Sequence, residues 1–142
     1  MKRPDKILDV FKTRSDEAAK IVGELRERRT LTLNAQVQVL QSIETAYNDA
    51  RRDRSSVGAA GGYARRALKK ASDLRTEAER IAEAELIAQD QLRGCFADQK
   101  RFELFQSQRQ IKERAVARKR EENRLLEEID QLQAAKDREE RG

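Results

Sequence analysis

The chain has 142 residues, of which 40% are charged and 4% aromatic, with one proline, one cysteine and no histidine or tryptophan. So few large apolar residues cannot fill a compact core, and their regular spacing favours long helices that each bury one stripe over a disordered chain. No stretch approaches the roughly 18 uncharged apolar residues of a membrane span, and the N-terminal MKRPDKILDVFKTR carries charges where a signal peptide needs its apolar run, so the protein is expected to be soluble and cytoplasmic.

In chain order, a first helix is expected from about Pro4, whose missing amide suits a first turn, to about Arg54. Leu8, Phe11, Ala18, Val22 and Leu25 make one apolar seam on it, and Leu33, Leu40, Ile43, Tyr47 and Ala50 a second. Two successive steps of four through Arg29 join them, a stutter of the kind that locally unwinds a supercoil. Within this helix LTLNAQVQVLQSI, residues 31–43, has no charge and alternates like a strand, but a lone strand between long helices would have no partner, so the stretch is read as helical.

Next comes SSVGAAGGYA, residues 55–64, which holds three of the six glycines. Glycine weakens helix and permits positive φ, so the chain is expected to reverse over residues 55–62. A second helix then runs from about Tyr63 to about Glu140. Its seam, Ala64, Ala67, Ala71, Leu74, Ala78, Ile81, Glu85, Ala88, Leu92, Cys95, Gln99 and Phe102, alternates steps of three and four. The register slips near Phe102 and Phe105, and Ile111, Ala115, Leu125, Ile129 and Leu132 resume the spacing in another frame.

The expected fold is all-α: one domain, residues 1–142, forming a long antiparallel two-helix coiled-coil hairpin with an overhanging C-terminal helix end. At ~1.5 Å per residue the helices would be roughly 75 and 115 Å long, so that about 25 residues of the second, from near Gln110, project beyond the first. The alternative is a flexible kink between two helices that pair with another copy of the chain. The overhang has the sharpest charge pattern: residues 109–120 hold six basic residues against one acidic, and residues 121–142 four basic against eight acidic.

No enzyme emerges, since there is no glycine-rich phosphate loop and, without histidine, no usual pairing of nucleophile and base. No cofactor or metal is expected either. Cys95 alone cannot form an intrachain disulfide and reads as a small seam residue.

Several stretches resemble the FliJ family, small coiled-coil proteins of the flagellar type III export apparatus. Gln36, Leu40, Ile43 and Tyr47 are similar to a Gln-x3-Leu-x2-Tyr-x3-Tyr surface on the first helix of enteric members, with isoleucine in place of the first tyrosine. Ala64, Leu68, Ala71 and Arg75 resemble the facing Phe-x3-Leu-x2-Ala-x3-His, keeping its leucine and alanine. ENRL at 122–125, the Glu-Ile-Asp of 128–130 and AAKIVGELR at 18–26 resemble the family's tail and early first helix.

The resemblance implies a non-catalytic stalk like the central subunit of rotary ATPases. Its paired helix ends sit in the pore of a hexameric export ATPase. Its body touches the cytoplasmic part of the membrane export gate, and it also binds empty export chaperones. Membrane association would be peripheral, at the inner-membrane export apparatus and through partners only. On this basis Gln36, Leu40, Ile43, Tyr47, Ala64, Leu68, Ala71 and Arg75 would face the gate. Leu8, Phe11, Arg109, Lys112, Arg114, Arg118, Lys119, Arg120, Leu125, Ile129 and Leu132 would face the ATPase. Leu40 and Tyr47 also fit the intramolecular seam, and the residues leave both roles open.

Two other classes stand beside this one. A basic helical hairpin could be an RNA-binding arm held by phosphate contacts, although 26 acidic residues nearly balance 31 basic ones and the aromatics form no stacking platform, so no nucleic-acid partner is expected. A simple coiled-coil dimer or spacer is the third.

Overall fold

The computed structural model describes the backbone from Arg3 and the side chains from Lys6, in each case to Gly142. The described residues form two α-helices, α1 (Arg3–Arg52) and α2 (Val57–Arg141), joined through Asp53 and a 3-10 turn, Arg54–Ser56. There is no strand among the described residues, and residues 31–43 lie inside α1. The ring of Pro4 falls outside the described side chains. The chain divides into two compact units, Asp9–Asp98, and Met1–Leu8 with Gln99–Gly142.

In the unit Asp9–Asp98 the helices run antiparallel. Arg26 and Arg29 of α1 reach Glu85 of α2, whereas Ser42, further along α1, accepts a hydrogen bond from the hydroxyl of Tyr63, much earlier on α2. As residue numbers rise on one helix, those of their partners fall on the other.

The reversal is not made by the glycines. Gly58, Gly61 and Gly62 are all inside α2, and no described residue, glycine or otherwise, has a positive φ. The turn is instead built by Asp53, which leaves helical geometry at φ −133° and ψ 105°. Its carboxylate accepts from the Ser55 amide at 3.1 Å, the Ser55 hydroxyl at 2.7 Å and the Ser56 hydroxyl at 3.4 Å. Aspartate followed by serines supplies locally the acceptors and donors that a chain leaving a helix lacks, so no left-handed residue is needed. The hydrogen bonds from Ser55, side chain first and then backbone, hold the Asp53 carboxyl below its ordinary value of 3.8.

All twelve seam positions read on α2, from Ala64 to Phe102, are buried or half-buried. The reading of α1 needs correction. Its seam positions are Leu8, Phe11, Ser15, Ala18, Val22, Leu25, Arg29, Thr32, Gln36, Val39, Ile43, Ala46 and Ala50, an unbroken alternation of threes and fours with no stutter, and Ala35 and Ser42 beside them are half-buried too. Leu33, Leu40 and Tyr47, expected in the seam, are 42%, 43% and 46% exposed. Polar residues hold the places they were given, and their groups are satisfied locally: Thr32 donates to the Arg28 carbonyl and Ser42, beside the seam, to that of Val39.

The seam is thin. Most buried residues of α2 are alanines, with Ile81 and Glu85 the exceptions, and α1 adds Ser15, Val22 and Ala50. A methyl group contributes only about 0.8 kcal/mol on burial, and a row of equal small side chains offers little shape to distinguish one register from another. Glu85 breaks that uniformity. Its side chain is 6% exposed, yet its two oxygens receive Arg26 Nε at 2.8 Å and Arg29 Nε at 3.2 Å, while Gln89 Nε2 donates from the next turn at 3.4 Å.

The turn and the clamp can be tested separately. A β-carbon on Gly61 would meet nothing within 4 Å, and one on Gly62 only the mobile end of Arg66 at 3.6 Å. Gly61→Ala and Gly62→Ala should therefore each stabilise the protein by about 0.5–1 kcal/mol in thermal or urea unfolding, where a glycine-dependent turn would lose stability. Asp53→Ala should lower the melting temperature. Because folding depresses the Asp53 pKa, its stabilising contribution is complete above the ordinary aspartate range and is lost as pH falls through the folded value, so the gap between wild type and Asp53→Ala should close in acid.

For the clamp, the double variant Arg26→Ala/Arg29→Ala strands a buried carboxylate. It should cost about 2–4 kcal/mol, below the range for a fully buried pair because both arginines are substantially exposed. Glu85→Leu should be near neutral or stabilising by about 1 kcal/mol in the same unfolding measurement.

Candidate partner-binding surfaces

The eight residues read as gate-facing separate into two sets. Gln36 and Ile43 are half-buried and Ala64 and Ala71 buried, so these four belong to the seam. Leu40, Tyr47 and Leu68 are exposed, Leu68 to 53%, and Arg75 projects outward to pair with Glu79 at 3.4 Å.

The outward set lies on one side of the helix pair. Each member sits one residue after a seam position, Leu40 after Val39, Tyr47 after Ala46, Leu68 after Ala67 and Arg75 after Leu74. Leu33 and Arg75 line a common shallow groove with Gln36 and Ala78. One heptad further along α1 and one heptad back along α2 come Leu40 and Leu68, which therefore face the same way. The neighbouring turn of α1 adds Val37, half exposed. A strip of large apolar side chains, Leu33, Val37, Leu40 and Tyr47 with Leu68, thus faces solvent beside a seam built of alanine and polar residues.

Leu33 and Val37 were not read as surface residues. The sign of it was present, since the three-four spacing continues from Leu25 through Arg29, Thr32 and Gln36. Choosing apolar residues over strict spacing moved the frame by one and drew Leu33 inward.

The residues read as ATPase-facing also separate. Leu8 and Phe11 are half-buried, with the Arg14 guanidinium 6.0 Å from the centre of the Phe11 ring. Leu8 belongs to the unit that contains Gln99–Gly142, and Phe11 to the other. Covered positions on α2 stop at Gln106, and every residue from Ser107 to Gly142 is exposed although helical to Arg141, so the uncovered stretch begins before the expected Gln110. Lys112, Arg114, Arg118, Lys119 and Arg120 all face solvent. So does Arg109, which pairs with Glu113 at 3.2 Å. Leu125, Ile129 and Leu132 are exposed, Leu132 to 71%. Neighbouring charges make helix-internal pairs, Arg124 with both Glu121 and Glu128.

The concavities along the helices are open grooves, among the described residues no group of acidic, cysteine or histidine side chains could hold a metal ion, and no described helix is long and apolar enough to cross a membrane. The chain matches no family model, no curated protein and no solved structure.

The exposure of Leu40 and Tyr47 has a direct energetic consequence. Leu40→Ala/Tyr47→Ala should change unfolding stability by less than about 1 kcal/mol, as at surface positions, whereas Val22→Ala together with Ile81→Ala should cost several times as much. Equal losses in the two double variants would return Leu40 and Tyr47 to the seam.

Proposed function

We propose that this protein is a non-catalytic helical adaptor of a type III protein export apparatus, acting as a FliJ-like stalk between a hexameric export ATPase and the cytoplasmic part of the membrane export gate. The observation that carries the reading is the division of α2: covered as far as Gln106, then exposed on every side through a segment that is basic over residues 109–120 and acidic beyond. A helix with this much uncovered apolar and charged surface has little tertiary support of its own and gains most from a partner that surrounds it, such as a ring with a charged pore. The apolar strip Leu33, Val37, Leu40, Tyr47 and Leu68 supplies a second, separate contact surface suited to the gate. Large side chains with little seam role are the kind from which binding hot spots are made. The sequence resemblance adds the identity of the partners, including export chaperones, and a cytoplasmic location peripheral to the inner membrane.

The test is recovery of partners and the division of labour between the surfaces. The full chain, used as bait in its native cell, should bring down an export ATPase and a gate component. Leu40→Ala/Tyr47→Ala should weaken gate binding by about 2–4 kcal/mol while leaving ATPase binding unchanged. Reversing Lys112, Arg114 and Lys119 to glutamate should slow ATPase association in a salt-dependent way and spare the gate. Recovery of RNA in place of these proteins, with a steep salt dependence, would overturn the reading.

A further inference from the structure

We infer that the exposed segment of α2 carries a self-complementary seam through which two copies of this chain associate antiparallel, with Arg118 of each copy opposite Glu122 of the other. The inference does not rest on the export reading, and a dimer of this kind would compete with the ATPase for the same face.

The segment's own frame runs through Ile111, Ala115, Arg118, Glu122, Leu125, Ile129 and Leu132, alternate steps of four and three that place all seven on one face. Every one of them is exposed, so nothing in the chain covers the face. The charge order then selects the occupant. Residues 109–120 are strongly basic and residues 121–142 acidic. A parallel copy would set basic against basic and acidic against acidic, whereas an antiparallel copy sets each block against its opposite.

The register follows from the two charged residues inside the stripe. With Arg118 opposite Glu122 of the second copy, the heptad geometry places Ile111 opposite Ile129 and Ala115 opposite Leu125, and the twofold axis repeats each layer. Arg114, flanking the stripe, then faces Glu128 of the second copy. Sliding one copy by a heptad would put Arg118 against Ile129 and Glu122 against Leu125, burying both charges without partners, which disfavours that register strongly. Arg118 and Glu122 are four apart on one helix but make no ion pair there among the described residues. Arginine preceding glutamate is the weaker order for such a pair, which leaves both free for the crossing contact. The like pairs that the register creates, Lys119 with its copy and Glu121 with its copy, lie on opposite flanks near the axis, where solvent screens them.

The experiment is analytical ultracentrifugation of the purified full chain at low salt, from about 1 to 200 µM, with charge-swapped variants. The wild type should show a concentration-dependent monomer–dimer equilibrium. Arg118→Glu and Glu122→Arg should each weaken the dimer at least about tenfold, because each sets like charges together inside the seam. The double variant Arg118→Glu/Glu122→Arg should return to within about threefold of wild type, since it exchanges the partners without removing the pair. Both substituted positions lie on exposed helix outside the unit Asp9–Asp98, so folding of that unit is unaffected. A chain that stays monomeric throughout, a dimer that neither single variant weakens, as parallel pairing requires because each position then faces its own copy and a like pair stays a like pair, or a double variant weaker than both single ones overturns the proposal.

Discussion

One carboxylate in a row of methyl groups organises the paired helices. Ala60, Ala64, Ala67, Ala71, Ala78 and Ala88 let the backbones approach closely but do not say which residue of α1 belongs beside which residue of α2. Glu85 does, because its charge is excluded from water and its compensation comes from two fixed places on the other helix, Arg26 and Arg29. A shift of one heptad would set Ala19 and Val22, or Leu33 and Gln36, beside it and leave it without a charged partner. The ion pair contributes little net stability for the desolvation it entails, and its value lies in making the alternatives costly. The positions of the apolar strip and of the turn follow from the register so chosen.

The same choice explains which parts of the fold were legible in the sequence. On α2 the seam could be counted directly, because alanine at seam positions alternates with charged residues elsewhere, and even Glu85 was placed inside by spacing alone. On α1 the chemistry runs the other way over residues 29–36, before Val39, Ile43 and Ala46 return the seam to apolar residues. Arg29, Thr32 and Gln36 occupy the seam, while Leu33, Leu40 and Tyr47 stand outside. Hydrophobicity and periodicity disagree there, and periodicity prevails, since only positions spaced three and four apart keep one face toward α2 along the whole helix. The turn was misplaced for a related reason. Three glycines draw the eye, but glycine is tolerated in a helix at modest cost, whereas Asp-Arg-Ser-Ser supplies an actual set of hydrogen bonds.

The candidate surfaces were less legible than the fold. Charge segregation in the tail could be read from composition, and the structure leaves all of it exposed. The gate-facing set mixed seam residues with surface ones, because a four-residue motif on a helix necessarily spans more than one face. Only the cross-helix pairing separates Leu40, Tyr47, Leu68 and Arg75 from Gln36, Ile43, Ala64 and Ala71. The resulting surface is a strip formed by both helices, and neither helix alone carries it.

The unbroken alternation of threes and fours on both helices also governs how the length of this protein can vary. One residue inserted between the turn and Glu85 would rotate everything beyond it by about 100°, carrying the carboxylate out of the seam and away from both arginines. Three or four in all would leave it within about 60° of the seam yet about one helical turn past both arginines. Only seven residues restore the face, and then only if the opposite helix lengthens by the same amount. Past Ser107, where every side of the helix already meets water, no such arithmetic applies. Drift in length should therefore come in matched sevens in the paired region and in any number in the tail, unless a partner fixes the tail's phase as well.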